Sequence, residues 1–184
     1  YLISPNRITK NFYQMLNEVL KSDKISFFQL RLKKYSFEKK ILIGKKIRRL
    51  CKKNNVKFIV NDDPILAKKL NADGCHLGQK DMNIKDAREI IGPKIIGITC
   101  HNSIKLAKEA IKNKASYIAF GAFFPTKTKK TQYKSNIKTL NKAKKLTNIP
   151  IIAIGGITNK NYKKLLLNNA NFLAISGYIW NNKK

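Results

Sequence analysis

About eight short apolar runs, separated by stretches with helical spacing, constrain this chain more than anything else in it. The runs cover residues 2–3, 25–30, 58–60, 74–77, 95–99, 117–120, 151–154 and 172–175. Helical periodicity falls between them, over 11–20, 37–53, 65–70, 84–91, 103–112, 135–146 and 159–167. The strand-like runs are apolar at consecutive positions, as parallel strands covered on both faces must be. That order predicts an α/β fold, a single (β/α)8 TIM barrel filling residues 1–184. An open doubly wound sheet is the alternative, but it does not usually carry polar clusters after so many successive strands. Only residues 177–184 follow the last run, so the last covering helix is expected to be short or missing. Either the chain is truncated there or something else closes that edge.

Polar clusters stand at or just after the ends of five of these runs. They are Gln29-Leu30-Arg31-Leu32-Lys33, Asn61-Asp62-Asp63, Gly78-Gln79-Lys80-Asp81, Pro125-Thr126-Lys127-Thr128-Lys129 and Gly155-Gly156. In a barrel the carboxyl ends of the strands form one mouth, where ligands bind. Arg31 and Lys33 lie two residues apart, so an extended backbone points both to one side. With Lys129 they suit a pyrophosphate. Asp62 and Asp81, from neighbouring strands, make a hard-oxygen Mg²⁺ site whose remaining positions go to water and phosphate. Gly155-Gly156 and Ser176 fit a backbone grip on a second phosphate, since a side chain there would keep the anion from the amides.

Each cluster has a plainer reading. A lone Arg31 or Lys33 is ordinarily a surface charge. Asn61-Asp62-Asp63 before Pro64 also reads as a turn and helix cap. Gly155-Gly156 reads as a strand-to-helix turn. His76 and His101 read as packed or hydrogen-bonded side chains, and Cys75 and Cys100 as small core residues. The shared position of all the clusters in the repeat is what independent plain readings do not explain.

Composition narrows the class. The chain has 184 residues, 43% of them hydrophobic, enough for one buried core. No apolar run reaches the roughly 18–20 residues needed to span a bilayer. No signal peptide is evident, and Tyr1 in place of an initiator Met suggests a processed, trimmed or partial chain. Three widely spaced cysteines offer no disulfide framework or zinc site, which points to a reducing cytoplasm. The 39 Lys+Arg against 10 Asp+Glu give a formal charge of +29. Such a balance can signal nucleic-acid binding. Here the lysines are spread over every helical stretch, which fits a solvated surface, so no specific nucleic-acid partner is expected.

At these residues the sequence resembles the thiamine-phosphate synthase family from end to end. The matching motifs are QLRLK from Gln29, IVNDD from Ile59, ADGCHLGQKD from Ala72, GITCH from Gly97, FGAFFPTKTKK from Phe120, AIGGI from Ala153 and AIS from Ala174. The resemblance implies a (β/α)8 barrel that condenses a hydroxymethylpyrimidine diphosphate with a thiazole phosphate, releasing pyrophosphate. It assigns Gln29, Arg31, Lys33, Asn61 and Lys129 to the pyrimidine diphosphate, and Asp62 and Asp81 to Mg²⁺. Thr126 and Thr128 would meet the thiazole phosphate region, and Gly156, Ile175 and Ser176 its phosphate. Thr99 stands where the family usually has a serine near the pyrimidine. Arg31, Lys33 and Lys129 carry the catalytic expectation, stabilising the departing pyrophosphate. The related thiazole tautomerase, with His101 as acid/base, is the near alternative, and a basic nucleic-acid-binding barrel the distant one.

Overall fold

Strands form where β-branched and aromatic residues run together, because these side chains pack well on a pleated surface. The computed structural model describes residues 1–126 and 132–181. The apolar runs become β1 (Leu2–Ile3), β2 (Phe27–Leu30), β3 (Lys57–Asn61), β4 (Gly74–Leu77), β5 (Ile95–His101), β6 (Tyr117–Gly121), β7 (Ile151–Ile154) and β8 (Phe172–Ala174). They pair in chain order, every pair parallel. Leu2 bridges to Ile175; the Ile3 amide donates to the Ile175 carbonyl at 2.8 Å and the Ile175 amide to the Tyr1 carbonyl at 2.9 Å. Those bonds close the expected (β/α)8 barrel.

The helices are α1 (Phe12–Leu20), α2 (Phe37–Lys53), α3 (Pro64–Lys69), α4 (Ile84–Ile91), α5 (Ile104–Lys112), α6 (Ile137–Lys144), α7 (Lys163–Leu166) and α8 (Gly177–Trp180). Ser36, Asp63, Asn83, Ser103 and Asn136 each cap one, accepting the amide three residues on. Caps of this kind are worth about 1 kcal/mol apiece. One helix is much shorter than its periodicity suggests. The pattern over 159–167 yields only the four residues of α7. There the Asn161 side chain accepts the Thr158 amide at 2.8 Å and donates to the Gly156 carbonyl at 3.0 Å. This local bonding holds the chain in a turn in competition with helix. The closing helix α8 is short, as expected. Trp180 covers part of that edge, its indole N–H donating to the Ile3 carbonyl at 2.6 Å and its ring lying 5.2 Å from Phe12.

Alternation along the strands builds two cores. Phe28, Phe58, Ile96, Ile118 and Phe120 point outward and are buried against helix residues such as Phe12, Leu16, Ile47 and Leu140. Tyr1, Ile3, Tyr117, Ala119, Ile152 and Ala174 fill the barrel interior. Phe27 stacks on Tyr1 at 5.3 Å and meets Phe172 edge-on at 5.2 Å. This aromatic floor sits at the amino ends of the strands, so a ligand enters from the carboxyl ends.

Candidate active site

The three residues Asn61, Asp62 and Asp63 have three different jobs. Asn61 ends β3. Asp63 caps α3, its Oδ1 accepting the Leu66 amide at 2.8 Å, with Pro64 fitting the first helical position. Between them Asp62 takes a positive φ of 65°, its amide donating to the His76 carbonyl at 2.8 Å. Its Oδ2 lies 2.9 Å from the Lys33 ammonium. The helix-cap reading of this cluster therefore holds for Asp63, while Asp62 beside it is turned towards Lys33.

Asp81 completes an acidic pair. Its Oδ2 accepts the Gly78 amide at 2.7 Å, and its carboxyl and that of Asp62 act on each other's protonation. Burial pushes both carboxyls towards the neutral form. For Asp62, Lys33 and the bond from Asp81 outweigh that burial and hold it below the usual carboxylate range. For Asp81, burial and the facing Asp62 win over the Gly78 amide and hold it above that range. Two carboxyls so close together form a donor set of hard oxygens, which fits Mg²⁺. Among the described residues no cluster of three or more His, Cys, Asp or Glu supplies a fuller cage.

Arg31 lies just beyond β2 and is held on several sides. Its amide donates to the Ser4 hydroxyl oxygen at 2.8 Å, and its guanidinium donates to Asn6 Oδ1 at 3.1 Å. Burial lowers its pKa and Asp62 works against that; a guanidinium stays charged regardless. A cleft of about 370 Å³ runs beside Lys33, Asn61 and Asp62 towards Lys40 on α2. Gln29 is buried under this mouth with its Nε2 donating to the Tyr1 hydroxyl at 2.9 Å.

The opposite side of the mouth is made of backbone. Gly155 and Gly156 have φ values of 102° and 63°, which only glycine adopts at ease. A Cβ on Gly156 would run into the Pro125 carbonyl and Phe124. The Phe123 and Phe124 amides donate to the Ile154 and Gly155 carbonyls, each at 3.1 Å, tying the loop before Thr126 to this turn. Thr126 is half-buried at the end of that loop. Ser176 donates to the Ser4 carbonyl at 3.2 Å. The peptide groups of Ile175 are both engaged in closing the barrel. Thr99 on β5 stands beside His76 at 2.8 Å, its carbonyl accepting from Gln79 Nε2 at 2.5 Å. Thr128 and Lys129 lie outside the described residues. The described candidates thus come from β2, β3, β4, β5, β6, β7 and β8, or the loops after them, to one end of one barrel.

Sequence reasoning gave no role to Ser4, Asn6, Tyr1 or Tyr117. Alternation was the available signal: Tyr1 shares the inward side of its strand with Ile3, and Tyr117 shares its side with Ala119. His76 is hydrogen-bonded on both ring nitrogens, and His101 stacks on Tyr133 at 4.0 Å.

With this geometry in place, comparison with known proteins is decisive. The family model described as thiamine monophosphate synthase matches residues 1–179. The chain belongs to that family. The thiamine-phosphate synthase of Pelagibacter ubique (strain HTCC1062) is 65% identical over 185 residues, covering 100% of this chain and 89% of the relative. The thiamine-phosphate synthase of Erythrobacter litoralis (strain HTCC2594) is 40% identical, covering 98% of this chain and 87% of its own length. Among solved structures, thiamine phosphate pyrophosphorylase from Pyrococcus furiosus superposes with a TM-score of 0.86 at 31% identity, covering 96% of this chain and 84% of that one. The family is one of transferases.

Proposed function

We propose that the protein joins 4-amino-5-hydroxymethyl-2-methylpyrimidine diphosphate to a thiazole phosphate, giving thiamine monophosphate and pyrophosphate. The observation that carries this reading is Asp62, set against Lys33 on one side and Asp81 on the other. It brings a cation and an acidic pair to one point at the mouth, as a departing pyrophosphate requires.

The bond that breaks joins the pyrimidine methylene carbon to the diphosphate oxygen, which leaves with the electron pair. The bond that forms joins that carbon to the thiazole nitrogen, which already holds a lone pair and needs no general base. Arg31, Lys33 and Lys129 would neutralise the leaving group, the largest charge development in the reaction. Gln29, Asn61 and Thr99 would hold the pyrimidine end. Gly156 and Ser176 would grip the thiazole phosphate beside Thr126 and Thr128, with Ile175 fixing the strand end that carries Ser176. Mg²⁺ held by Asp62 and Asp81 would add positive charge beside the pyrophosphate oxygens. The aromatic floor closes the barrel below, limiting water to the mouth.

We read residues 1–184 as one catalytic unit. No helix among the described residues is long and apolar enough to cross a membrane. The buried free thiols of Cys51, Cys75 and Cys100 suit a reducing compartment, so we place the enzyme in the cytoplasm.

Purified protein incubated with both substrates and Mg²⁺ should form thiamine monophosphate, read by fluorescence after oxidation to the thiochrome. Product should disappear when the divalent ion is chelated. A folded protein that makes no product overturns the assignment.

A further inference from the structure

A continuous line of hydrogen bonds crosses the barrel interior beneath the mouth. Gln29 Nε2 meets the Tyr1 hydroxyl at 2.9 Å, and the Tyr1 hydroxyl meets that of Tyr117 at 2.7 Å. The Tyr117 hydroxyl then meets His76 Nδ1 at 2.9 Å, and His76 Nε2 meets Thr99 Oγ1 at 2.8 Å. Five side chains from β2, the segment before β1, β6, β4 and β5 thus form one chain. Tyr1, Tyr117 and Gln29 are buried in it.

The direction of the chain follows from its first member. An amide nitrogen only donates, so Tyr1 accepts from Gln29; with the Tyr1 hydrogen directed to Tyr117, each hydroxyl along the line accepts once and donates once. The Tyr117 hydroxyl, having accepted, donates to His76 Nδ1. A ring nitrogen that accepts carries no hydrogen, so in this order the His76 ring carries its hydrogen on Nε2, which donates to Thr99. Thr99 has then accepted, and its hydroxyl hydrogen is available to a group brought into the mouth. Burial raises both phenols above their usual pKa, so each keeps the hydrogen the relay needs.

The surrounding packing holds this order. A Cβ on Gly97, the β5 residue beside His76, would collide with the Tyr117 ring, so glycine there lets the ring lie across the interior. The ring stacks on His76 at 5.6 Å and 14° and meets Tyr1 edge-on at 5.8 Å. Rotation of any one ring therefore displaces its neighbours.

We propose that Tyr1 and Tyr117 are positioning residues that act through His76 to fix Thr99 as a hydrogen-bond donor. The Thr99 hydroxyl then selects a substrate that presents an acceptor, such as the ring nitrogen of an aminopyrimidine, over one that presents a donor there. This rests on the pyrimidine reading of the mouth. The relay itself is a property of the protein without substrate, so the two are tested separately.

The test is nitrogen-15 NMR of ring-labelled histidine in the substrate-free protein. The chain contains two histidines, and a His101→Gln variant tells their signals apart. The relay requires the His76 hydrogen on Nε2, with Nδ1 bare. A hydrogen on Nδ1 would mean that the chain runs the other way, and would overturn the proposal whatever the enzyme's activity. In Tyr117→Phe the preference for Nε2 should weaken, and Tyr1→Phe should weaken it less because Tyr117 remains.

Kinetics supply the second arm. Tyr117→Phe should lower kcat/KM for the pyrimidine diphosphate about tenfold, the scale of one buried hydrogen bond, with the KM for thiazole phosphate unchanged. Thr99→Val should do the same, and the double variant should lose little more, since both act on one bond. Additive losses would show that Tyr117 supports the barrel without acting through Thr99. The expected tautomer in a folded protein that forms no thiamine monophosphate would leave the relay standing and remove the pyrimidine reading.

Discussion

At the scale of single residues, the site depends on side chains that are held apart from their usual roles. Asp62 is kept ionised by Lys33 while Asp81 is kept towards its neutral form by burial and by Asp62. A cation between them favours the ionised form of both. The sign of the pH effect follows: as pH falls, Asp81 takes up its proton before Asp62, and the affinity for Mg²⁺ drops first on the Asp81 titration. Titrating Mg²⁺ activation at successive pH values should show its half-saturating concentration rising towards acid while saturated turnover changes less. Asp62→Asn should lower turnover at least a hundredfold, because the variant loses half of the acidic pair and the partner of Lys33. Near-normal turnover in that variant would remove Asp62 from the metal and leaving-group site. The thiols make the opposite case. Burial pushes Cys51, Cys75 and Cys100 up to about 12. A charged thiol reagent should leave the native protein unmodified and label all three after denaturation.

At the scale of elements, the end of β3 sets the Asp63 cap of α3 beside the candidate site residue Asp62. This explains what could be read from the sequence. The repeat of apolar runs and helices was legible because parallel strands covered on both faces must be apolar throughout. The position of Asp62 was legible because the other clusters fall at the same place in the repeat. Its division of labour with Asp63 was not, since both are carboxylates before a proline and only backbone geometry separates the capping residue from the site residue. The interior relay was hidden for another reason. Tyr1, His76 and Tyr117 lie on separated strands, and a lone histidine gives no hint of which tyrosines the barrel brings to it. The short α7 shows periodicity giving way to local bonding by Asn161. The turn before α7 can be tested directly. Gly156→Ala should strain a φ of 63° and push against the Pro125 carbonyl. Positive-φ strain costs about 1–3 kcal/mol. The KM for thiazole phosphate should rise more than tenfold while that for the pyrimidine diphosphate holds, and an equal rise in both would deny the turn a specific part in the phosphate grip.

At the scale of the whole molecule, the formal charge of +29 surrounds a mouth whose two expected ligands are both anions. Among the described residues the acidic partners are few: Lys21 with Glu18, Lys33 with Asp62 and Lys57 with Asp73. Most of the positive charge is therefore not neutralised by neighbours and contributes to a field around the barrel. Such a field acts on the approach of substrate more than on bound substrate, since screening shortens its reach to about 10 Å at 0.1 M salt. Contacts inside the mouth, such as Lys33 with Asp62 at 2.9 Å, lie well within that distance. Raising the salt from about 0.05 to 0.5 M should thus lower kcat/KM for the pyrimidine diphosphate several-fold and leave kcat at saturation nearly constant. Stopped-flow or initial-rate measurements over that range, at fixed Mg²⁺ and with two different monovalent salts, separate screening from ion-specific effects. A flat kcat/KM would assign the lysines to a solvated surface alone. A fall in kcat itself would place the charge effect inside the site, at the pyrophosphate contacts we assign to Arg31 and Lys33.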